Sequence, residues 1–481
     1  MQRCLFLVGV ASIVLTGCMP FHPPARNSTA PVPMPETFDS EAQEQAVPAP
    51  WWKALDSPEL NRLVQTALEH NFSIRSAWAR LRQARAQLDR AEASLWPSLE
   101  GSGTGERTRS YREQTDMTTS ANEMSYGVSA SYELDLWGRA RSARQAQVLS
   151  SSASRQDVEA AAASVVGQIT ATWLETLSLR EQVLRLRRQI AAEKKVLRLQ
   201  RIRYENGAID GPTLTRQRRQ VAATEGSLPD LQARLGRARN ALATLVGVSG
   251  PDALCLEQER FPDLLPLPEA GLPARLMAER PDIQAAWLKL RAADWEVAVA
   301  QADMLPSLSL SAGRTYTNDM FSLDWTSWIS RLTGNLTAPL FSGGRRLAEV
   351  ERTRAVVEQR VADYGEVVLE AFQDVRDALV NEETQRRAVA QTRRQLQAAR
   401  QALSQARLRY ANGQSGYVDV VAEQASVAQF ERQLVQQRAQ LLTERVGVYR
   451  ALGNAWTDSL SASGKSVSRA GFQKGHMEQE Q

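Results

Sequence analysis

The sequence contains an internal duplication. The segment Arg203-Tyr204-Glu205-Asn206-Gly207 returns later as Arg409-Tyr410-Ala411-Asn412-Gly413. Downstream of each segment, apolar residues fall every seven positions: Leu214, Val221, Leu228, Leu235 and Leu242 in the first half, and Val420, Val427, Leu434, Leu441 and Val448 in the second. The same motif in the same register indicates two copies of one structural unit.

The sequence of each copy predicts the same order of elements: a short helix, a second helix, a β-hairpin, a very long helix, a tight turn and a long helix that runs back antiparallel to it, called here the descending helix. The first structural repeat is expected over 51–250 and the second over 269–453, with an inter-repeat linker at 251–268. Within the repeats, we predict β-hairpins at 99–135 and 307–338 and long helix pairs at 139–246 and 345–452. The fold class is therefore mainly α, with four strands per chain.

The long helices carry the spacing of a coiled coil. Apolar side chains step by three and four along the second of them: Val357, Val361, Tyr364, Val368, Ala371 and Val375, then Leu396, Ala399, Leu403, Ala406 and Tyr410. A seven-residue repeat predicts left-handed supercoiling, and a helix from Arg345 to Tyr410 is ~100 Å long. Pro229 interrupts the first descending helix and should kink it, whereas the equivalent residue in the second half is Val435.

The first residues have the pattern of a bacterial targeting signal. Arg3 precedes an apolar run, 5–15, that is too short to span a bilayer. The run ends in Leu15-Thr16-Gly17-Cys18, which resembles the lipobox, where the protein is cut before a cysteine that is then acylated. We expect a signal peptide at 1–17 and a lipid anchor on Cys18; an ordinary signal peptide with an incidental cysteine is the alternative. Met19 in place of Asp implies sorting to the outer membrane.

The rest of the chain carries no predicted membrane helix. No later segment approaches the roughly 20 apolar residues that such a helix needs. Residues 18–50 are rich in Pro and predict an extended, lipid-anchored linker, and 454–481 predict a polar tail. Cys4 leaves with the signal and Cys18 carries lipid, so Cys255 stands alone and no disulfide can form within the chain.

The predicted strands alternate between apolar and polar residues. The second has Tyr126, Val128, Ala130, Tyr132 and Leu134 on one side and mostly small or polar residues on the other. This alternation fits a membrane β-barrel, and it also fits a soluble sheet with one wet face. Four strands leave two open edges, which lipid does not tolerate, so several chains must pool their hairpins. Two copies would give a narrow eight-stranded barrel filled by its own side chains, whereas three would give twelve strands with room for a lumen, and their long helices would ring a tunnel.

Composition and motifs point away from catalysis and from nucleic-acid binding. The net charge is only +4, and arginine pairs such as Arg187-Arg188 lie beside Glu and Gln on predicted helices, as on a solvated face. No metal or triad partners stand at suitable spacing from His22, His70 and His476. We predict no enzymatic activity, no nucleic-acid partner, and no cofactor apart from the covalent lipid on Cys18.

Several further segments carry a family resemblance. They are Trp51-Trp52, Leu134-Asp135-Leu136-Trp137-Gly138-Arg139, Arg280-Pro281-Asp282-Ile283, Leu305-Pro306-Ser307-Leu308, Pro339-Leu340-Phe341 and Gly343-Gly344-Arg345. In this order, and with the two Arg-Tyr…Asn-Gly turns, the chain resembles the TolC-like outer-membrane efflux family, in its lipoprotein branch. The resemblance runs from about Trp51 to Leu452, which is nearly all of the mature chain.

The resemblance implies an outer-membrane homotrimer with a twelve-stranded barrel and a periplasmic α-helical tunnel. It also implies a periplasmic adaptor and an inner-membrane transporter of the resistance–nodulation–division type, which would supply the energy. On this basis we expect the turns to form adaptor-docking tips. The residues of these tips are Arg203, Tyr204, Gly207, Arg409, Tyr410 and Gly413. The same turns also fit simple helix stops, and both interpretations can hold.

An acidic gate is a further expectation. The Asp that the family commonly carries after the second turn is Ala422 here, but Asp419 or Glu423 could supply a ring of carboxylates, one set from each copy, that favours cations. Solvated positions on a helix are the equal alternative. The sequence does not specify the cargo, which could be drugs, dyes, siderophores or metal ions. A type I protein-secretion duct and a structural periplasmic coiled-coil lipoprotein are the alternative functions.

Overall fold

The computed structural model describes residues 21–26, 50–268, 273–319, 327–453 and 460. The predicted signal peptide, Cys18, most of the 18–50 linker and all of the 454–481 tail except residue 460 lie outside the described residues.

The described elements follow the same order in each half of the chain. The helices are α1 (Pro58–His70), α2 (Phe72–Ala93), α3 (Arg139–Glu205), α4 (Gly211–Gly226), α5 (Leu228–Val246), α6 (Pro273–Glu279), α7 (Pro281–Ala302), α8 (Arg345–Ala411) and α9 (Tyr417–Ala451). The strands are β1 (Ser98–Arg112), β2 (Met117–Leu134), β3 (Ser307–Asp319) and β4 (Trp328–Thr337). Both long helices, α3 and α8, have 67 residues, so each is ~100 Å long.

Pro229 breaks the first descending helix, as the sequence predicts. Helix α4 ends at Gly226, and α5 begins at Leu228 with the proline in its first turn. Proline is tolerated there because the first backbone N–H groups of a helix have no partner within it. In the second half, Val435 occupies the equivalent position and is buried, and α9 continues through it without interruption.

The chain divides into two compact units, and each draws on both halves of the sequence. Among the described residues, the sheet unit consists of 21–26, 80–155, 285–319 and 327–366. The helical unit consists of 50–79, 156–268, 273–284, 367–453 and 460. The first contains all four described strands, and the second contains both helix-reversing turns.

The sheet unit holds one antiparallel sheet in the order β1-β2-β3-β4. Its register brings Tyr126 opposite Tyr316, and their rings stack with centroids 5.5 Å apart. Apolar side chains on the strands are exposed, among them Val128, Leu332 and Leu336. Strands β1 and β4 lie at the edges of the sheet, where in the described part of the chain each pairs on one side only. Such edges are open to pairing with another chain.

A large apolar core holds the helical unit together. Trp51, Trp173 and Tyr449 are almost fully buried in it. The Glu59 carboxylate accepts hydrogen bonds from Trp173 Nε1 at 2.7 Å and from the Gln258 backbone N–H at 2.8 Å. The inter-repeat linker is thereby tied to α1 and α3, and no buried carboxylate oxygen of Glu59 is left without a donor.

The predicted coiled-coil seam is confirmed by burial. Tyr364, Val368, Ala371 and Val375 are each no more than 2% exposed, and the seam continues through buried Leu396, Ala399, Leu403 and Ala406. Among the described helices, none combines the length and the hydropathy that a membrane crossing requires.

A buried ion pair joins the two helices of the second repeat. The Arg445 guanidinium of α9 donates to the Glu382 carboxylate of α8 and to the Leu265 carbonyl oxygen. Their side chains are only 6% and 3% exposed. Each charge therefore depends on the other, because an unpaired ion in the interior loses its hydration without compensation.

Candidate functional site at the helix turns

The two Asn-Gly segments end α3 and α8 with the same hydrogen-bonded turn. The Ala208 N–H donates to the Arg203 carbonyl oxygen at 2.8 Å and the Gly207 N–H to that of Tyr204 at 2.9 Å. In the second turn, Gln414 and Gly413 make the equivalent bonds. This is a Schellman motif, which requires a left-handed residue just after the helix. Gly207 and Gly413 supply it, with φ of +69° and +67°.

The descending helices begin differently after the two turns. Asp210 caps α4 by accepting from the Thr213 backbone N–H at 3.2 Å, and hydrogen bonding to Thr213 lowers the pKa of this carboxyl below its usual value. Gly416 stands at the equivalent position before α9 and offers no side-chain cap. The start of α9 therefore lacks the capping hydrogen bond that stabilises the start of α4, and packing of side chains around the second turn takes its place.

Side chains of the second turn form a small apolar cluster. Leu403, Ala406 and Val420 are buried in it, and Tyr410 and Tyr417 pack against it. The two tyrosine rings meet edge to face, with centroids 5.2 Å apart. Burial raises the pKa of the Tyr417 phenol, which stays neutral at physiological pH.

One contact joins the two turns directly. The Arg203 guanidinium donates to the Tyr410 hydroxyl, and its central carbon lies 5.7 Å from the centre of the same ring. The residues are 207 positions apart in the chain. Of the six predicted tip residues, the structure brings these two together. The sequence motif supplied both residues, but nothing in it indicated that they touch.

The other tip residues face outward. Tyr204 is about half exposed, and Arg409 is exposed. A Cβ atom built on Gly207 or Gly413 would meet nothing within 4 Å. Leu408 and Ile202, on the same last turns, are also exposed, at 64% and 55%. The ends of α3 and α8 thus present open backbone and uncovered apolar side chains, which are typical of an interaction surface.

The two candidate gate residues lie on α9, just after the second turn. Asp419 is exposed in its first helical turn, and Glu423 lies one turn later and is partly buried. The equivalent residues on α4 are Thr213 and Gln217, which carry no charge. In a ring formed by several copies of the chain, each copy would therefore contribute carboxylates from its second repeat only. No described group of His, Cys, Asp and Glu side chains is arranged to hold a metal ion.

The family of the chain follows from its match to a known sequence profile. The sequence profile described as "Outer membrane efflux protein" matches residues 63–248 and 272–454. The chain belongs to the outer membrane efflux protein family. The two matched segments divide at the inter-repeat linker.

Individual members of the outer membrane efflux family are similar over almost the whole chain. The pyoverdine export outer membrane protein OpmQ of Pseudomonas putida is 32% identical over 92% of this chain and 96% of its own length. The cation efflux system protein CusC of Escherichia coli O6:H1 is 26% identical over 95% and 100%. The outer-membrane channel OprN has a solved structure with a TM-score of 0.83 and 26% identity, covering 92% of this chain and 100% of that one.

The family assigns the role of the chain. It is the outer-membrane channel component of a tripartite efflux pump, and the family members it resembles are channels rather than enzymes. The long helices and the four-stranded sheet are the parts of such a channel.

Proposed function

We propose that three copies of this chain form a passive, lipid-anchored duct that carries small molecules outward from a periplasmic adaptor and an inner-membrane transporter of the resistance–nodulation–division type. The single observation that carries this proposal is the sheet. It has two edge strands, β1 and β4, and exposed apolar side chains such as Leu332 at 81%. Three such sheets would pair edge to edge and complete a twelve-stranded wall whose apolar residues face lipid.

A lipid on Cys18 would tether each copy to the membrane that the sheet enters. Acyl chains contribute on the order of 0.8 kcal/mol per buried CH₂, so several chains per subunit hold the protein firmly without a membrane helix. The lipobox at Leu15 to Cys18 supports this proposal. Cys18→Ala should release unassembled protein into the soluble periplasmic fraction.

The two turns would be the docking tips for the adaptor. Exposed Tyr204, Ile202 and Leu408 and the open backbone at the two glycines support this assignment. A photo-reactive amino acid at Tyr204 should form adducts with the adaptor in cells. The same substitution at Val380 serves as the control. Val380 is an apolar residue of α8 that lies away from the turns and is 64% exposed. Adducts of equal yield at both positions would remove the docking role from the turns.

In the resting duct the turns would also form the constriction. The contact between Arg203 and Tyr410 supports a closed arrangement, because it ties the last turn of α3 to that of α8. The carboxylates of Asp419 and Glu423 would then ring the opening and favour cations over anions. Energy would come from the transporter.

Reconstitution into planar bilayers tests the duct. A passive pore should pass ions in steps of uniform size with no nucleotide and no proton gradient. A protein that inserts into the bilayer and passes no ions under any voltage, even when Tyr410→Phe removes the contact that ties the turns together, would overturn the proposal.

A further inference from the structure

Each long helix carries a cation at every seventh residue along one flank of its apolar seam. The positions are Arg180, Arg187, Lys194 and Arg201 on α3 and, at the equivalent places, Arg386, Arg393, Arg400 and Arg407 on α8. With Leu396 and Leu403 at heptad position a, the cations of α8 occupy position e. Side chains at this position reach across the seam to charges on the neighbouring helix.

We call each row of cations a ladder and each of its seven-residue steps a level. One level is paired in the same way in both repeats. Lys194 Nζ lies 2.5 Å from Glu225 Oε1 on α4. Arg400 Nη2 lies 2.6 Å from Glu431 Oε1 on α9. Because Glu225 and Glu431 are equivalent residues, the duplicated ladder pairs a cation with an acid at this level.

The next level departs from the pattern in the second repeat. The residue one heptad beyond Glu225 is Gln232, but the residue one heptad beyond Glu431 is Arg438. Arg438 is exposed at the surface, and partial desolvation by the packed helices, reinforced by the positive charges of Arg393 and Arg185, lowers its pKa, whereas Glu181 opposes this. An arginine remains protonated at neutral pH even so. Like charges therefore face each other across the seam where an opposite pair would be stable.

The acids near this level are already engaged. Glu431 also lies 3.6 Å from Arg185, and Arg185 pairs with Glu181 at 2.5 Å. Two arginines, Arg185 and Arg400, thus occupy both glutamates. Within the described residues, neither Arg393 nor Arg438 forms a salt bridge.

A groove of about 460 Å³ opens between α8 and α9 at this place. Arg393, Arg400 and Arg438 line it together with polar Gln397, Gln401 and Ser404 and apolar Leu396 and Leu434. We propose that this groove is an oxyanion-binding site in which Arg393 and Arg438 together hold a free multivalent anion such as inorganic phosphate. Guanidinium groups match an oxyanion with two parallel N–H donors each. The bound anion would remove the repulsion between the two arginines and stabilise the α8–α9 pair, whatever the cargo of the duct.

Phosphate itself is the probe. The purified full-length protein in detergent is heated over a range of phosphate concentrations, with chloride added to keep the ionic strength constant. The site predicts a saturable rise in Tm with phosphate. Arg438→Gln copies the first repeat, so it should raise the Tm in chloride and abolish the phosphate-specific rise. In a calorimetric titration it should weaken phosphate binding at least about tenfold.

The first repeat provides matched controls. Arg187→Gln removes a cation from the equivalent ladder position and should leave the phosphate response unchanged. Gln232→Arg installs the second arginine there and should add a second phosphate-binding step. An equal Tm rise in chloride and phosphate, or a full phosphate response in Arg438→Gln, would overturn the site. Ion conduction is measured separately, so failure of the site would leave the duct untouched.

Discussion

The Arg203 guanidinium donates to the Tyr410 hydroxyl and lies over the face of the same ring. This contact links the last turn of the first long helix to the last turn of its duplicate. A hydrogen bond to a charged group contributes about 1.5–3 kcal/mol. An opening movement that separates α3 from α8 must break it.

Tyr410→Phe keeps the ring and removes the hydroxyl, so it should favour the open arrangement. A loss of about 1.5 kcal/mol, the lower end of that range, corresponds to about a tenfold change in the ratio of open to closed states for each subunit. Single-channel recordings should therefore show longer or larger openings. Arg201→Ala removes a neighbouring cation that is 68% exposed and, within the described residues, pairs with Glu205 on its own helix, and it serves as the charge control. Identical traces for Tyr410→Phe and wild type would mean that the contact does not hold the duct closed.

Gly413→Val should damage the second turn. A β-branched residue at φ +67° is strained by on the order of 1–3 kcal/mol. Gly416→Ala is the matched control, because that residue has φ −76° and needs no glycine. We expect Gly413→Val to lower both the thermal stability of the turn and the yield of adaptor cross-links, with export falling in parallel. Unchanged export and cross-linking would show that the turn is a helix stop alone.

Asp419→Asn should reduce the preference of the reconstituted duct for cations. The carboxylate is exposed in the first turn of α9, and the first repeat has no acid at the equivalent place. Reversal potentials in a salt gradient measure the selectivity, and Glu423→Gln is expected to have the same sign of effect. Asp210→Asn is the control, since it removes a carboxylate beside the other turn while keeping a capping side chain. Unaltered reversal potentials in Asp419→Asn would remove this residue from the gate.

Glu382→Gln should destabilise the protein strongly. It leaves the Arg445 charge buried without its acid, which typically costs about 3–5 kcal/mol. The temperature at which the assembled protein dissociates in detergent measures the loss. The neighbouring Glu383 is more exposed and pairs with Arg386 and Arg387 at the surface, so Glu383→Gln should leave that temperature almost unchanged. Equal behaviour of the two variants would mean that the buried pair does not stabilise the protein.

The elements could be predicted from the sequence because their signals are local. Spacing of three and four marked the seam at Tyr364 and Val368, and Pro229 marked the break between α4 and α5. The contacts between elements could not be predicted. Arg203 and Tyr410 are 207 positions apart, and each also fits a separate helix end. In the same way, the sequence shows Glu59 only as an acid in the first turn of a helix. Its hydrogen bonds to Trp173 and to the linker appear only in the fold.

The candidate site was predicted in part. The glycines of both turns were identified from their position after a long helix, and their positive φ values confirm the geometry that glycine serves there. The roles of Asp419 and Glu423 remain predictions, because a ring of carboxylates exists only between subunits. The proximity of Arg393 and Arg438 could not be predicted, because the sequence does not specify which residues of α8 and α9 face the same groove.

The number of chains in the purified assembly decides whether a shared wall forms. Native mass spectrometry of the protein released from detergent counts them in one measurement. We expect a single species of three chains, each carrying lipid at its N-terminus. A stable species of one chain, with its sheet folded and both edges open, would contradict the shared wall and the duct that depends on it.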